Sequence, residues 1–207
     1  MDAIQATALA LGSAWGSGVN VYAAVLTLGL LHSTGHLTLP PQMELLSNPL
    51  VLSAAGVMYA IEFFADKIPG VDSVWDAIHT FIRIPAGAVL AYTAVGEVSQ
   101  PLHFAAAIAG GTLAAGTHAT KAGSRAMINT SPEPFSNWLV SFAEDAAVVL
   151  GIWAAVIHPY IFLAFLICFV VLMIWLLPRL WRGIRKIILW VRAQVPRLRS
   201  DPVSTDT

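Results

Sequence analysis

The chain consists largely of apolar stretches that turn-forming residues separate. Six of these stretches are long enough to cross a membrane, since a hydrocarbon layer about 30 Å thick requires roughly 17 to 25 residues of helix. They cover residues 6–31, 49–65, 77–95, 102–120, 136–157 and 160–177. The pattern predicts an all-α fold, a polytopic membrane helix bundle of about six transmembrane helices.

Composition supports a lipid-facing surface. The 207 residues are 57% hydrophobic and 11% charged, with a mean hydropathy of +0.72, whereas a soluble domain carries about 25% charged residues. The first basic residue is Lys67, so no basic n-region precedes the first stretch, which we expect to remain as a span. Cys168, the one cysteine, lies in an apolar run and has no partner for an internal disulfide.

Lysine and arginine residues predict the orientation of the helices. With six spans and a cytoplasmic start, the inner segments are 66–76, 121–135 and the tail from Arg179, and Arg83 lies near the inner end of the third span. All eleven basic residues then fall on one side, as positive residues do in short cytoplasmic loops. We expect a multi-pass protein of the cell's inner (plasma) membrane with both termini in the cytoplasm.

Residues 179–200 mix basic and apolar side chains at helical spacing. This spacing is typical of an amphipathic cytoplasmic helix on the inner leaflet, where anionic lipid headgroups contribute about 1 kcal/mol per basic residue. A helix that binds a partner protein is the alternative. We therefore predict a transmembrane domain over 1–178, this amphipathic helix, and a disordered tail over 201–207.

The spans can be divided into two three-helix repeats, 6–98 and 101–177, which have opposite orientations because three is an odd number. Glycine-rich segments at 16–20 and 115–118 occupy corresponding helices. Glycines allow helices to pack closely, and they also allow a helix to break and free its carbonyl groups. Inverted repeats with interrupted helices are typical of transporters, whose sites lie at the repeat interface.

Two carboxylates near the middle of the fifth span are the sharpest anomaly. Glu144 and Asp145 lie about nine residues into it, roughly 13 Å from its inner end, where a carboxylate costs about 2.5 to 3.5 kcal/mol. They are either a structural ion pair with basic residues of the fourth span or part of a site for a solute, proton or cation. The predicted solute- or ion-binding residues are Asn20, His118, Lys121, Arg125, Glu144 and Asp145.

A second acidic cluster lies around the inner end of the second span. Glu62 and Asp66 are four residues apart and share one helical face, and Lys67 and Arg83 are near enough in sequence to neutralise part of the charge. Oxygen-rich clusters suit hard cations such as Mg²⁺ or Ca²⁺, so a bound cation and a salt-bridged loop are both consistent with it. The predicted cytoplasmic cation site consists of Glu62, Asp66, Asp72 and Asp76.

Several motifs resemble one family. They are residues 16–22 (GSGVNVY), 62–72 (EFFADKIPGVD) with Trp75 and Asp76, Thr117 and His118 with Lys121 and Arg125, and residues 129–134 (NTSPEP) continued by Ser141, Glu144 and Asp145. They are similar to the domain of unknown function 4126 family of bacterial and plant membrane proteins, over about residues 11–157. That pattern has an Arg-Pro pair where this chain has Ile84-Pro85. The arginine of this chain, Arg83, therefore lies one position earlier. The resemblance implies no activity, but it implies that both acidic clusters and the Thr-His segment belong to one site.

The leading functional hypothesis is a transporter or channel for an ion or small solute. Two other classes stay open: a non-transporting assembly or accessory protein, and a membrane-embedded enzyme acting on lipid through His118 and the Glu144-Asp145 pair. The chain has no hydrolase, metalloprotease, phosphate-loop or dinucleotide motif, which disfavours an enzyme. It has no basic soluble face for nucleic acid. A homo-oligomer or a membrane partner is compatible with the sequence.

Overall fold

The computed structural model describes residues 1–130 and 134–199. Within those residues the fold is all-α, as predicted, with six α-helices and one 3-10 helix and no strand. The helices are α1 (Ala3–Ser33), the 3-10 helix (Pro41–Ser47), α2 (Pro49–Ala65), α3 (Val71–Ala94), α4 (Gln100–Ile128), α5 (Pro134–Ile157) and α6 (Pro159–Arg199).

Three of the described helices are long and apolar enough to cross a membrane. They are α1, α5 over 135–157 and α6 over 159–186. The 3-10 helix and α2 meet the same test as one pair, which is bent by 61° at its junction. Helices α3 and α4 are long enough but fall short in apolarity. The chain is thus a helical bundle with helices suited to membrane spans.

Helix α1 lies at the centre of the bundle, against α3, α4 and α5. Its contact with α4 is close at Gly18, where a Cβ atom would stand 2.6 Å from the carbonyl oxygen of Ala114. The buried apolar core gathers around α1 and includes Trp15, Leu28 and Ile152. Most large side chains of α6 are exposed instead, which is the arrangement expected of a helix that faces lipid.

Two helices extend beyond the apolar stretches that predict them. Helix α3 begins at Val71 rather than at residue 77, and α4 continues to Ile128 rather than ending at residue 120. The added turns carry Asp72, Asp76, Lys121 and Arg125, all of which are buried. Hydropathy alone places these charged turns outside the helices. They belong to the helices because opposite charges inside the protein, rather than water, compensate theirs.

Helix α6 passes through Pro178 without ending there, so the boundary predicted at 178–179 is not a helix terminus. The next turn packs on α4, where a Cβ atom on Gly123 would stand 3.0 Å from Leu180 and one on Gly183 would stand 2.9 Å from Met127. The predicted tail over 201–207 lies outside the described residues.

Candidate functional site

Helix α1 is interrupted at Asn20, which has non-helical backbone angles (φ −153°, ψ 102°). The side-chain oxygen of Asn20 accepts a hydrogen bond from the backbone N–H of Ala23 (3.0 Å). This is the geometry of an N-cap, so Asn20 begins the second half of α1. Its amide nitrogen donates to Oδ1 of Asp145 on α5 (3.0 Å). One side chain therefore both caps the broken helix and ties it to a carboxylate in the middle of α5.

The break exposes a backbone carbonyl to a lysine. Lys121 Nζ donates to the carbonyl oxygen of Val19 (3.1 Å) and to Oδ2 of Asp66 (2.9 Å). Carboxylate oxygens of Glu62 and Glu144 lie 3.6 and 3.7 Å from the same ammonium group. Lys121 is thus a buried hub that joins α1, α2, α4 and α5.

Arg125, one turn further along α4, is completely buried. Its guanidinium donates to Oε2 of Glu144 (2.5 Å), to the carbonyl oxygen of Asp66 (2.6 Å) and to the side-chain oxygen of Asn137 (2.8 Å). The pairing of Glu144 with Arg125 and Lys121 is the one that the sequence suggests. Asp145 differs: it binds Asn20 and Tyr59, because adjacent helical residues point about 100° apart.

Arg83 on α3 is also completely buried. It donates to Oε1 of Glu62 and to Oδ1 of Asp76, both at 2.8 Å. It also donates to Nδ1 of His118 (3.0 Å). Arginine has no acceptor, so Nδ1 is unprotonated. Nε2 of His118 then donates to Thr80 (2.7 Å), whose own hydroxyl donates to the carbonyl oxygen of Asp76. Both nitrogens of His118 are therefore occupied.

Asp72 lies at the edge of this network, 3.9 Å from Arg125. Its carboxylate accepts from the backbone N–H groups of Gly70 and Ser73 and from the side chain of Asn129 (2.8, 2.6 and 2.9 Å). Asp72 therefore mainly fixes the turn before α3, where Gly70 has a positive φ of 88°.

Lys67, in the turn between α2 and α3, is buried without a carboxylate within 4 Å among the described residues. Its ammonium lies 3.0 Å from the ring centroid of Phe63 and donates to the carbonyl oxygen of that residue. It also donates to the hydroxyl of Ser141 (3.4 Å). Burial lowers the pKa of Lys67 below its ordinary value.

The ten predicted site residues are thus placed around one network. Lys121 and Arg125 join Glu144 to the acidic cluster of Glu62, Asp66 and Asp76. His118 joins the cluster through Arg83. Asn20 and Asp145 form a hydrogen-bonded pair beside it, next to the Val19 carbonyl that binds Lys121, and Asp72 lies at the margin. In the described part of the chain, no group of three or more His, Cys, Asp or Glu side chains is arranged to hold a metal ion. These carboxylates contact Arg83, Lys121 and Arg125 instead, and the cation site stays a prediction.

Asn137 and Ser141 belong to the site, although the sequence does not single them out as site residues. Both are buried and contact Arg125 or Lys67. A signal exists: Asn137, Ser141 and Asp145 recur every four residues, and Glu144 follows Ser141 by three, so polar positions line one side of an otherwise apolar α5. Thr80 has the same signal in α3, where Asp72, Asp76, Thr80 and Arg83 recur every three to four residues.

The protein is thus an all-α bundle of largely apolar helices, with a network of buried ion pairs between them. The family model "Domain of unknown function (DUF4126)" matches residues 7–179, and the chain belongs to that family. No curated protein and no solved structure matches it.

Proposed function

We propose that this protein is a membrane transporter or channel for an ion or small solute, with its site in the network around Asn20. The observation that carries the proposal is the break in α1, where the carbonyl oxygen of Val19 meets Lys121 and the next residue, Asn20, binds the carboxylate of Asp145. Interrupted helices in transporters free backbone groups in this way to bind ions and solutes near the middle of the membrane.

The charge balance supports a cationic occupant or a proton. Six carboxyl groups lie in or beside the network: Glu62, Asp66, Asp72, Asp76, Glu144 and Asp145. Four cationic side chains accompany them: Lys67, Arg83, Lys121 and Arg125. Buried charges are stable only when they are compensated. Protons or a bound cation would neutralise the two additional carboxylates.

The proposal includes six crossings of the inner membrane, with both termini in the cytoplasm and the α1–α3 and α4–α6 halves as inverted repeats. Its support is the count of α-helices and the location of every basic residue on one side. The internal pairing of the charges on α3 and α4 would let these less apolar helices cross as well. Basic residues of the tail would then contact anionic lipid headgroups.

Cysteine labelling tests the topology. In a Cys168→Ser background, Ser99→Cys should react with a membrane-impermeant maleimide on intact cells, whereas Thr130→Cys should react only after permeabilisation. Both positions are exposed, at the two opposite ends of α4. Labelling of Thr130→Cys on intact cells would overturn the orientation.

Flux measurements test the activity. Purified protein in liposomes should carry protons, reported by trapped pyranine, or ²²Na⁺ under a potassium diffusion potential set with valinomycin, or ⁸⁶Rb⁺ in liposomes without valinomycin, since valinomycin itself carries Rb⁺. Asn20→Ala should abolish that flux because it removes both the cap of the second half of α1 and the tie to α5, and Asp145→Asn should abolish it because it removes the negative charge beside the break. Glu97→Gln, which neutralises an exposed carboxylate outside the network, should leave it unchanged. Absence of all three fluxes, or equal flux in Asp145→Asn, would count against the proposal.

The two other classes gain no support from the geometry. His118 uses both ring nitrogens on Arg83 and Thr80, so it has no free nitrogen with which to act as a general base on lipid. An accessory role through the tail depends on residues whose side chains are mostly outside the described part of the chain.

A further inference from the structure

A cleft of about 400 Å³ lies beside the network, bounded by α1, α4, α5 and α6. Helices α4 and α5 touch each other little, and the cleft fills the space between them. Most of its lining is apolar: Trp15, Val19, Ile128, Val140, Ala147 and Phe169. Helices α5 and α6 are suited to membrane spans, so lipid is the surrounding that we expect at the mouth of the cleft.

One carboxylate of the network reaches the cleft. The side chain of Glu144 is 16% exposed, whereas those of Glu62, Asp66 and Asp76 are at most 3% exposed. Lys121 also lines the cleft, but its side chain is 3% exposed and its ammonium is held by Asp66 and the carbonyl oxygen of Val19. Arg125 and Lys121 pair with Glu144 from its buried side, yet the network as a whole has two more carboxyl groups than cationic side chains, and Glu144 is its partly exposed carboxylate.

Two aromatic rings also line the cleft. They belong to Trp15 and Phe169, whose ring centroids lie 5.9 Å apart with their planes at 82°. Aromatic faces attract cations, by about 0.5 to 2 kcal/mol each depending on solvation. A carboxylate, two aromatic rings and apolar walls together favour a ligand that is both positively charged and hydrophobic.

We propose that this cleft binds hydrophobic organic cations that arrive from the membrane, with Glu144 as the charge that selects them. The inference rests on the proposed transport function and names its substrate class. The apolar walls offer a hydrated inorganic ion no ligands to replace the water that it would lose. A delocalised organic cation is weakly hydrated, and it gains apolar contact with the walls. The volume lies within the range of about 300 to 1,000 Å³ that holds small molecules.

Equilibrium dialysis of the full chain in detergent with tritiated tetraphenylphosphonium tests the inference directly. Binding should saturate at one site. Triphenylphosphine oxide, which has a similar shape without the charge, should not compete. Glu144→Gln should weaken binding by at least about tenfold, because removing one member of a desolvated charge pair costs 2 kcal/mol or more.

A second pair of variants keeps the test valid if Glu144→Gln fails to fold. Ala143→Trp places bulk in the cleft without changing the ion network and should abolish binding. Ala146→Trp adds the same bulk to an exposed position of α5 that does not line the cleft, and it should bind as the wild type does.

Three results would overturn the inference: no saturable binding, equal competition by the neutral oxide, or wild-type binding in Ala143→Trp. Flux is measured separately in the same preparation. Proton or metal-ion flux that persists without tetraphenylphosphonium binding would refute the substrate class and leave the transport function standing. Tetraphenylphosphonium binding with neither proton nor metal-ion flux, whether or not tetraphenylphosphonium is present, would support the cleft and refute transport.

Discussion

Arg83 allows the sharpest test of the buried network. It is completely buried and connects Glu62, Asp76 and His118 through contacts of 2.8 to 3.0 Å. In Arg83→Met the volume is nearly kept, but two buried carboxylates lose their main partner. The nearest remaining cation is Lys121, at 3.6 Å from Glu62 and 3.9 Å from Asp76.

The expected loss of stability is large. Removing one partner of a buried ion pair costs about 3 to 5 kcal/mol. At about 2 to 4 °C per kcal/mol for a chain of this size, the melting temperature should fall by roughly 6 to 20 °C. The assay is thermal unfolding of detergent-purified protein at a fixed scan rate, followed by tryptophan fluorescence.

Two further variants separate charge from packing. Adding Glu62→Gln to Arg83→Met should recover part of the loss, because one uncompensated carboxylate disappears. Arg182→Met is the matched control: among the described residues this exposed arginine bonds to the carbonyl of Pro178 and to no carboxylate, so its effect should stay within about 2 °C. Melting of Arg83→Met within that same margin would refute the view that the guanidinium holds the network together.

Two other predictions concern packing and protonation. Gly18→Val should destabilise the fold by about 1 to 3 kcal/mol in the same assay, because a Cβ there would stand 2.6 Å from the backbone of α4. Gly56→Ala, where nothing lies within 4 Å, should be neutral or stabilising; equal losses in both would contradict the close approach. Burial lowers the pKa of Lys67 below 10.5. Between the lowered pKa and 10.5 the unfolded chain therefore binds more protons than the native protein, so stability should rise with pH in that window. Subtracting the pH dependence of Lys67→Met, measured by chemical denaturation, isolates this effect, and a falling difference would show the opposite shift.

The apolar helices follow directly from sequence, and the site follows only in part. Helix α2 has the predicted bounds, Pro49–Ala65, because a proline and a polar turn delimit a run that is apolar except for Ser53 and Glu62. The early start of α3 and the late end of α4 could not be predicted, since a charged turn exposed to water and one buried against opposite charges have the same composition. Only the packed structure distinguishes the two.

The individual ion pairs depend on rotation of each helix as well as on sequence spacing. The partners of Glu144 could be predicted, because Lys121 and Arg125 are four residues apart on the neighbouring span. Arg83 and His118 could not be paired, since they come from separate helices and meet only through the α3–α4 contact. The glycines of residues 16–20 allowed two alternatives, close helix packing or a broken helix. Both occur: α1 breaks at Asn20, and Gly18 allows close contact with α4.

The length of α6 has a mechanical consequence. Forty-one residues of helix extend about 60 Å, twice the thickness of the hydrocarbon layer. A straight α6 would extend some 30 Å beyond that layer: Arg179, twenty residues after Pro159, would lie near its surface, whereas the last basic residues of the helix would be out of reach of the lipid headgroups. Because Leu180 and Gly183 rest on α4, any fold-down toward the headgroups has to pivot beyond Gly183.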